Sequence, residues 1–198
     1  MTTAATSDRT DVVDVLTADH QEFLGLLARI RASESPEDQK ELADVLVAEL
    51  VRHSVAEETW VYPAMREHLP DGDAKVAHDT EEHEELEVLL RQLEAADPAD
   101  VEFVTTVARI EEVLRDHVAD EESEQFPELR RHVPAEDLRT MARRVEKTKE
   151  VAPTRPHPGA PNTRLFHTTV GLGAGMVDRL RDALAHRTTE PDELRGER

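Results

Sequence analysis

The sequence predicts an all-α protein: an antiparallel up-down-up-down four-helix bundle with a short extra helix and a Pro-rich C-terminal tail. Three observations predict it. Apolar residues recur at helical spacing through four long segments, glycine is scarce at 7 of 198 residues, and a unit of about 64 residues occurs twice. The stretch from His53 to Pro70 reads HSVAEETWVYPAMREHLP, and that from His117 to Pro134 reads HVADEESEQFPELRRHVP. Both carry a His, a Glu-Glu, an aromatic-Pro step and a closing His-aliphatic-Pro. Asp19-His20 and Glu82-His83 form an earlier matched pair. Each unit therefore holds a lone His and then a His-x-x-x-Glu.

The elements follow in order. Val13, Leu16, Leu24, Leu27 and Ile30 form a helical stripe that contains His20. Ser35-Pro36-Glu37-Asp38 is a helix start, with Ser35 as cap, Pro36 in the first position and acids in the first turn. The second helix aligns Leu42, Leu46, Leu50, His53, Glu57 and Val61, with a kink at Tyr62-Pro63 and an end at Leu69-Pro70. The third aligns Val76, His83, Leu86, Leu90 and Leu93. The fourth starts after Asp97-Pro98 and aligns Val104, Val107, Ile110, Leu114, His117 and Glu121. A short basic helix is expected over 135–150. Residues 10–150 thus form one helical domain. Residues 151–198 read as a Pro/Gly-rich linker and a weakly helical or disordered tail, with prolines at 153, 156, 158 and 161. Gly171-x-Gly173-x-Gly175 lacks both the spacing and the preceding strand of a phosphate loop.

Composition narrows the function. There is no cysteine, which excludes disulfides, thiolate metal sites and a Cys nucleophile. No segment approaches 18 consecutive apolar residues, and the N-terminus lacks a basic, apolar leader; the expected location is cytoplasmic. Net charge is −20, with the acid excess in residues 1–126. Such a body repels nucleic acid and anionic membrane, so neither is an expected partner. H-E-x-x-H, G-x-S-x-G and Walker sequences do not occur.

The His and Glu residues carry the chemistry. Positions four apart share a helix face, so each His-x-x-x-Glu points a nitrogen and a carboxylate the same way. Counted from the helix ends at about 1.5 Å per residue, His20, His53, His83 and His117 lie within about 9 Å of one level. Four imidazoles and two carboxylates, Glu57 and Glu121, therefore meet in an apolar interior. Buried carboxylates without partners are costly, and two of them repel. A pair of cations removes that cost. Nitrogen and oxygen donors without sulfur suit Fe, Mn or Zn.

The ordered set His20, His53-x-x-x-Glu57, His83, His117-x-x-x-Glu121 resembles the hemerythrin-like HHE cation-binding family over about residues 10–132. The resemblance implies a non-heme di-iron centre, two His on each of two Fe ions, with Glu57 and Glu121 bridging. It implies a function in binding or reacting with O2, NO or peroxide, or alternatively as a non-catalytic iron or redox sensor or iron donor. A protein partner would then meet the C-terminal tail. The oxygen carriers of that family have a second His one turn from the first on the third helix. Here the candidate is His78, five residues before His83 and about 140° off the stripe. Tyr62 is either a core aromatic over the site or a cofactor-binding residue, as a phenolate ligand or as a hydrogen-bond donor to a bound oxygen species. Glu58 and Glu122 are expected to face a neighbouring helix or solvent, and His68, His132 and His157 to lie outside the site.

Overall fold

The computed structural model describes residues 10–157, 164–185 and 187–194, leaving the side chains of 164–173 aside. Every regular element among the described residues is helical. Helix α1 (Val12–Ala32) starts on Asp11, whose side chain accepts from the Asp14 N–H at 3.1 Å; Asp14 returns a bond to the Asp11 N–H at 3.0 Å. This reciprocal cap satisfies two donors that a helix start leaves open. Helix α2 (Pro36–Ala56) starts on Ser35, which accepts from the Asp38 N–H. It runs into a five-residue π turn, Glu57–Val61, and continues as α3 (Tyr62–His68).

Asp71 turns the chain at φ 55°, and α4 (Gly72–Ala95) begins beside it. A Cβ on Gly72 would sit 2.2 Å from the Met65 carbonyl oxygen, so this crossing requires glycine. Helix α5 (Val101–Asp120) passes through a second π turn, Glu121–Gln125, into α6 (Phe126–His132). Then come α7 (Ala135–Lys149) and α8 (Arg164–Ala185).

The paired π turns differ from the simple kink expected at Tyr62-Pro63. Tyr62 and Phe126 donate their N–H groups five residues back, to the carbonyls of Glu57 and Glu121. Pro63 and Pro127 have no N–H, and in a regular helix their rings would press on the carbonyl four residues earlier. The widened turn relieves that clash and starts on the very Glu of each His-x-x-x-Glu.

Two apolar clusters fill the interior. One holds Phe23, Leu27, Ile30, Leu46, Leu50, Leu86, Leu93, Phe103, Ile110 and Leu114. The other holds Val12, Leu16, Val61, Tyr62, Met65, Val76, Phe126, Leu129 and Leu138. On α1, His20 falls between Leu16 of one cluster and Phe23 of the other. On α2, His53 follows Leu50 and precedes Ala56; on α4, His83 lies between Val76 and Leu86. A polar belt therefore separates two apolar cores.

The C-terminal segment lies closer to the bundle than its composition suggests. Ala152 and Thr154 are buried, and Leu194 joins the first cluster. Arg187 reaches Asp44 and Asp182 at 3.2 Å each, and Arg52 pairs with Glu49 and Glu190 at 2.5 Å each. The sequence reads as disordered over its last dozen residues, yet 191–193 form a 3-10 turn, and Arg52 of α2 donates to Thr189 and Glu190 just before it. With α7 on its other flank, α2 is buried over almost its whole second half.

Candidate metal centre

The belt brings His20, His53, Glu57, His83, His117 and Glu121 together, each no more than 5 % exposed. Ring centroids of His20 and His53 are 5.1 Å apart, and those of His83 and His117 are 5.0 Å apart. The imidazoles thus form two pairs. Glu57 Oε2 lies 3.2 Å from His53 Nε2 and 3.4 Å from His83 Nε2, so one carboxylate faces both pairs. Glu121 Oε2 does the same, 3.3 Å from His20 Nε2 and 3.5 Å from His117 Nε2.

The other ring nitrogen of each His is engaged. His20 Nδ1 pairs with Glu122 at 2.9 Å, and His53 Nδ1 with Asp19 at 3.1 Å. His83 Nδ1 pairs with Glu58 at 3.0 Å, and His117 Nδ1 with Glu82 at 2.9 Å. An ionised carboxylate only accepts, so each Nδ1–H donates outward and each Nε2 points into the centre. The four acids obey the internal repeat. Asp19 and Glu82 precede the lone His of each unit, and Glu58 and Glu122 follow its Glu. Glu58 and Glu122 face neighbouring helices, as expected, and there they orient imidazoles across the repeat boundary. Lys149 adds a further layer, donating to Asp19 at 2.6 Å.

The donor set fits cations. His20, His53 and His117 each have an Nε2 without a hydrogen-bond partner, as do both oxygens of Glu57 and of Glu121. So many orphaned buried polar atoms converging on one place need a ligand. His20, His53, Glu57 and Glu121 form one group, and Glu57, His83 and His117 another, with ligand atoms within 4.8 Å in each. No Lys or Arg among the described residues pairs with either central Glu.

Electrostatics show the same competition. Burial opposes charge on His53, yet Glu57 and Asp19 outweigh it and raise its pKa from 6.5 to about 9. His83 rises to about 10 against burial, through Glu57 and Glu58. Burial would raise Glu57, but His53 and His83 hold it well below the usual range. The raised histidines stabilise the metal-free fold fully below about pH 6.5, and that contribution is lost as pH climbs through about 9 to 10. Metal-free protein is therefore expected to show a falling urea midpoint from about pH 7 to 10. Metal-loaded protein, whose ligating imidazoles are neutral, should lack that decline.

The remaining candidates lie as follows. Tyr62 stacks on His83 at 5.4 Å, with its hydroxyl 3.1 Å from His83 Nε2. Burial first, then Glu57, Glu121, Asp79 and Glu58, push its phenol well above its ordinary pKa, so it stays an O–H donor. His78 is 56 % exposed on its side chain and faces Glu82 and Asp120 outside the centre. His68 lies near Glu67, His132 beside Arg131, and His157 against Asp178. Sequence reading missed Asp79 and Gln125, both buried and bonded to each other at 2.9 Å.

The orienting acids are directly testable. Glu58→Gln is expected to weaken metal affinity about 10- to 100-fold, and Glu122→Gln less, since its side chain is 37 % exposed. Competition against a chelator measures both.

Fold and site together define a metal-binding helical protein with histidine and carboxylate donors. The family model for the hemerythrin HHE cation binding domain matches residues 11–129. An uncharacterized hemerythrin-like protein of Schizosaccharomyces pombe is 31% identical over 176 residues, covering 88% of this chain and 87% of its own. This chain belongs to the hemerythrin HHE cation-binding family. A DNA nickase of Nostoc sp. is 30% identical over 145 residues, 72% of this chain but 41% of the nickase. No solved structure matches.

Proposed function

We propose that the chain holds two Fe ions and binds or reacts with a small oxidant: O2, NO or peroxide. The observation that carries this is the pairing of two His groups across Glu57 and Glu121, with unpartnered inward atoms on His20, His53, His117 and both Glu. His20 and His53 would hold one ion, His83 and His117 the other, and the two Glu would bridge. Mn or Zn would suit the same donors. A bound iron pair supplies open coordination positions and one-electron redox change. The protein's own residues supply the rest. Asp19, Glu58, Glu82 and Glu122 fix the imidazoles, the two apolar clusters exclude water, and Tyr62 offers an O–H beside His83.

The same reading makes residues 10–150 an antiparallel up-down-up-down metal-binding unit and 151–198 a tail. Its support is that α1 and α4 pass from the second apolar cluster to the first, while α2 and α5 pass the other way. Among the described residues no helix is long and apolar enough to cross a membrane. Exposed Met176, Val177, Leu180 and Leu184 on α8 support a protein partner at the tail. The lack of cysteine supports a cytoplasmic setting. The nickase's action on DNA is not carried over: the match covers 41% of that protein, and a net charge of −20 opposes a polyphosphate.

A second reading, an iron or redox sensor without turnover, is favoured by the Lys149–Asp19–His53 chain, which ties the centre to the end of α7. Steady-state consumption of peroxide or NO by iron-loaded protein separates them. Turnover supports the first reading; binding with no turnover leaves the second.

A further inference from the structure

The two repeats agree at the ligand positions and differ in polarity at three positions beside them. The register that lays His20 on His83 lays Leu16 on Asp79. The register that lays His53 on His117 lays Val61 on Gln125 and Tyr62 on Phe126. The rings then cross over. Phe126 stacks on His20, with centroids 5.7 Å apart, and Tyr62 stacks on His83. Beside His20 and His53 the three side chains are thus Leu16, Val61 and Phe126. Beside His83 and His117 they are Asp79, Gln125 and Tyr62. All six are at most 3 % exposed, so none of the polar three is there for solvation.

The polar half carries spare hydrogen-bonding capacity. Gln125 Nε2 donates to Asp79 Oδ1 at 2.9 Å. Asp79 Oδ2 and Gln125 Oε1 have no partner among the described residues. Asp79 also groups with His117 and Glu82, ligand atoms within 4.8 Å, which puts its carboxylate at the edge of the centre. Two buried acceptors side by side call for a ligand that donates. Tyr62 adds a donor, its hydroxyl 3.1 Å from His83 Nε2. The apolar half offers nothing comparable.

We propose that the centre is functionally asymmetric, and that its exogenous ligand is a hydrogen peroxide-class oxidant bound on the His83/His117 side, its O–H groups donating to Asp79 and Gln125. This rests on the metal-oxidant reading above and selects among its ligands. NO has no O–H group and O2 acquires one only after reduction and protonation, so neither arrives with a donor for the two acceptors. Peroxide has both donors and acceptors, and so matches Asp79, Gln125 and Tyr62 together.

The test uses iron-loaded full-length wild type, Gln125→Val and Asp79→Leu, which copy the apolar half, and Asp79→Asn in case the Leu variant fails to fold. Three quantities are read: iron per chain, the peroxide concentration that half-saturates the first stopped-flow absorption change, and the NO concentration that half-saturates the visible spectrum. The expected result is wild-type iron, a peroxide requirement raised about tenfold or more, and an NO requirement changed less than about threefold. Variants matching wild type toward peroxide overturn the proposal alone. So do variants that lose iron, which makes Asp79 or Gln125 part of the metal cage, and variants weakened equally toward peroxide and NO. A wild type that takes up iron yet responds to neither reagent overturns the oxidant reading and this proposal with it.

Discussion

His117→Ala and His53→Ala are each expected to hold at least about one metal ion per chain fewer than wild type, while His157→Ala keeps the full complement. Each central His supplies one Nε2 to a group of three or four donors, and its removal leaves an ion with too few ligands for a stable cage. The loss should exceed the effect of removing an orienting acid, which weakens a ligand without deleting it. His157 is the control because its ring engages Asp178 on α8, away from the belt. Metal analysis after identical reconstitution reads the result. Equal metal in all three variants would remove the assignment of these side chains.

Stripping the metal is expected to lower the melting temperature of the wild type by about 8–16 °C. Ligand at about 1,000 times its dissociation constant adds about 4 kcal/mol, and each kcal/mol shifts a chain of this size by about 2–4 °C. The effect arises because Glu57 and Glu121 are fully buried and, among the described residues, pair with imidazoles rather than with Lys or Arg. In the Glu57→Gln/Glu121→Gln double variant the bridging charges are gone, and the difference between metal-treated and stripped protein should close to about 2 °C or less. Calorimetry with and without chelator measures both. A double variant that keeps the wild-type shift would place the stabilising metal elsewhere.

Much of this was legible because the repeat is long and its chemistry is rare. Buried His and Glu stand out against Leu and Val stripes, and their order in two copies matches the family. The orienting acids were not legible. In a chain with 34% charged residues, Glu58 and Glu122 look like any solvated face. Each is the second residue of a π turn, whose extra residue shifts the helix phase by about 100°. Asp79 and Gln125 did leave a signal: each breaks an apolar match with the other repeat, at Leu16 and Val61. The tail misled for a related reason. On α8 the polar Asp178 and Asp182 face inward to His157, Thr154, Arg155 and Arg187, whereas Met176, Leu180 and Leu184 face out. Ordinary apolar patterning assumes the reverse.

The most direct check is an anomalous-scattering map at the iron edge from crystals of the iron-loaded protein. The account predicts two peaks between Glu57 and Glu121, one within about 2.0–2.3 Å of the Nε2 atoms of His20 and His53 and one equally close to those of His83 and His117. Peaks elsewhere, or a single peak touching neither Glu, would contradict it.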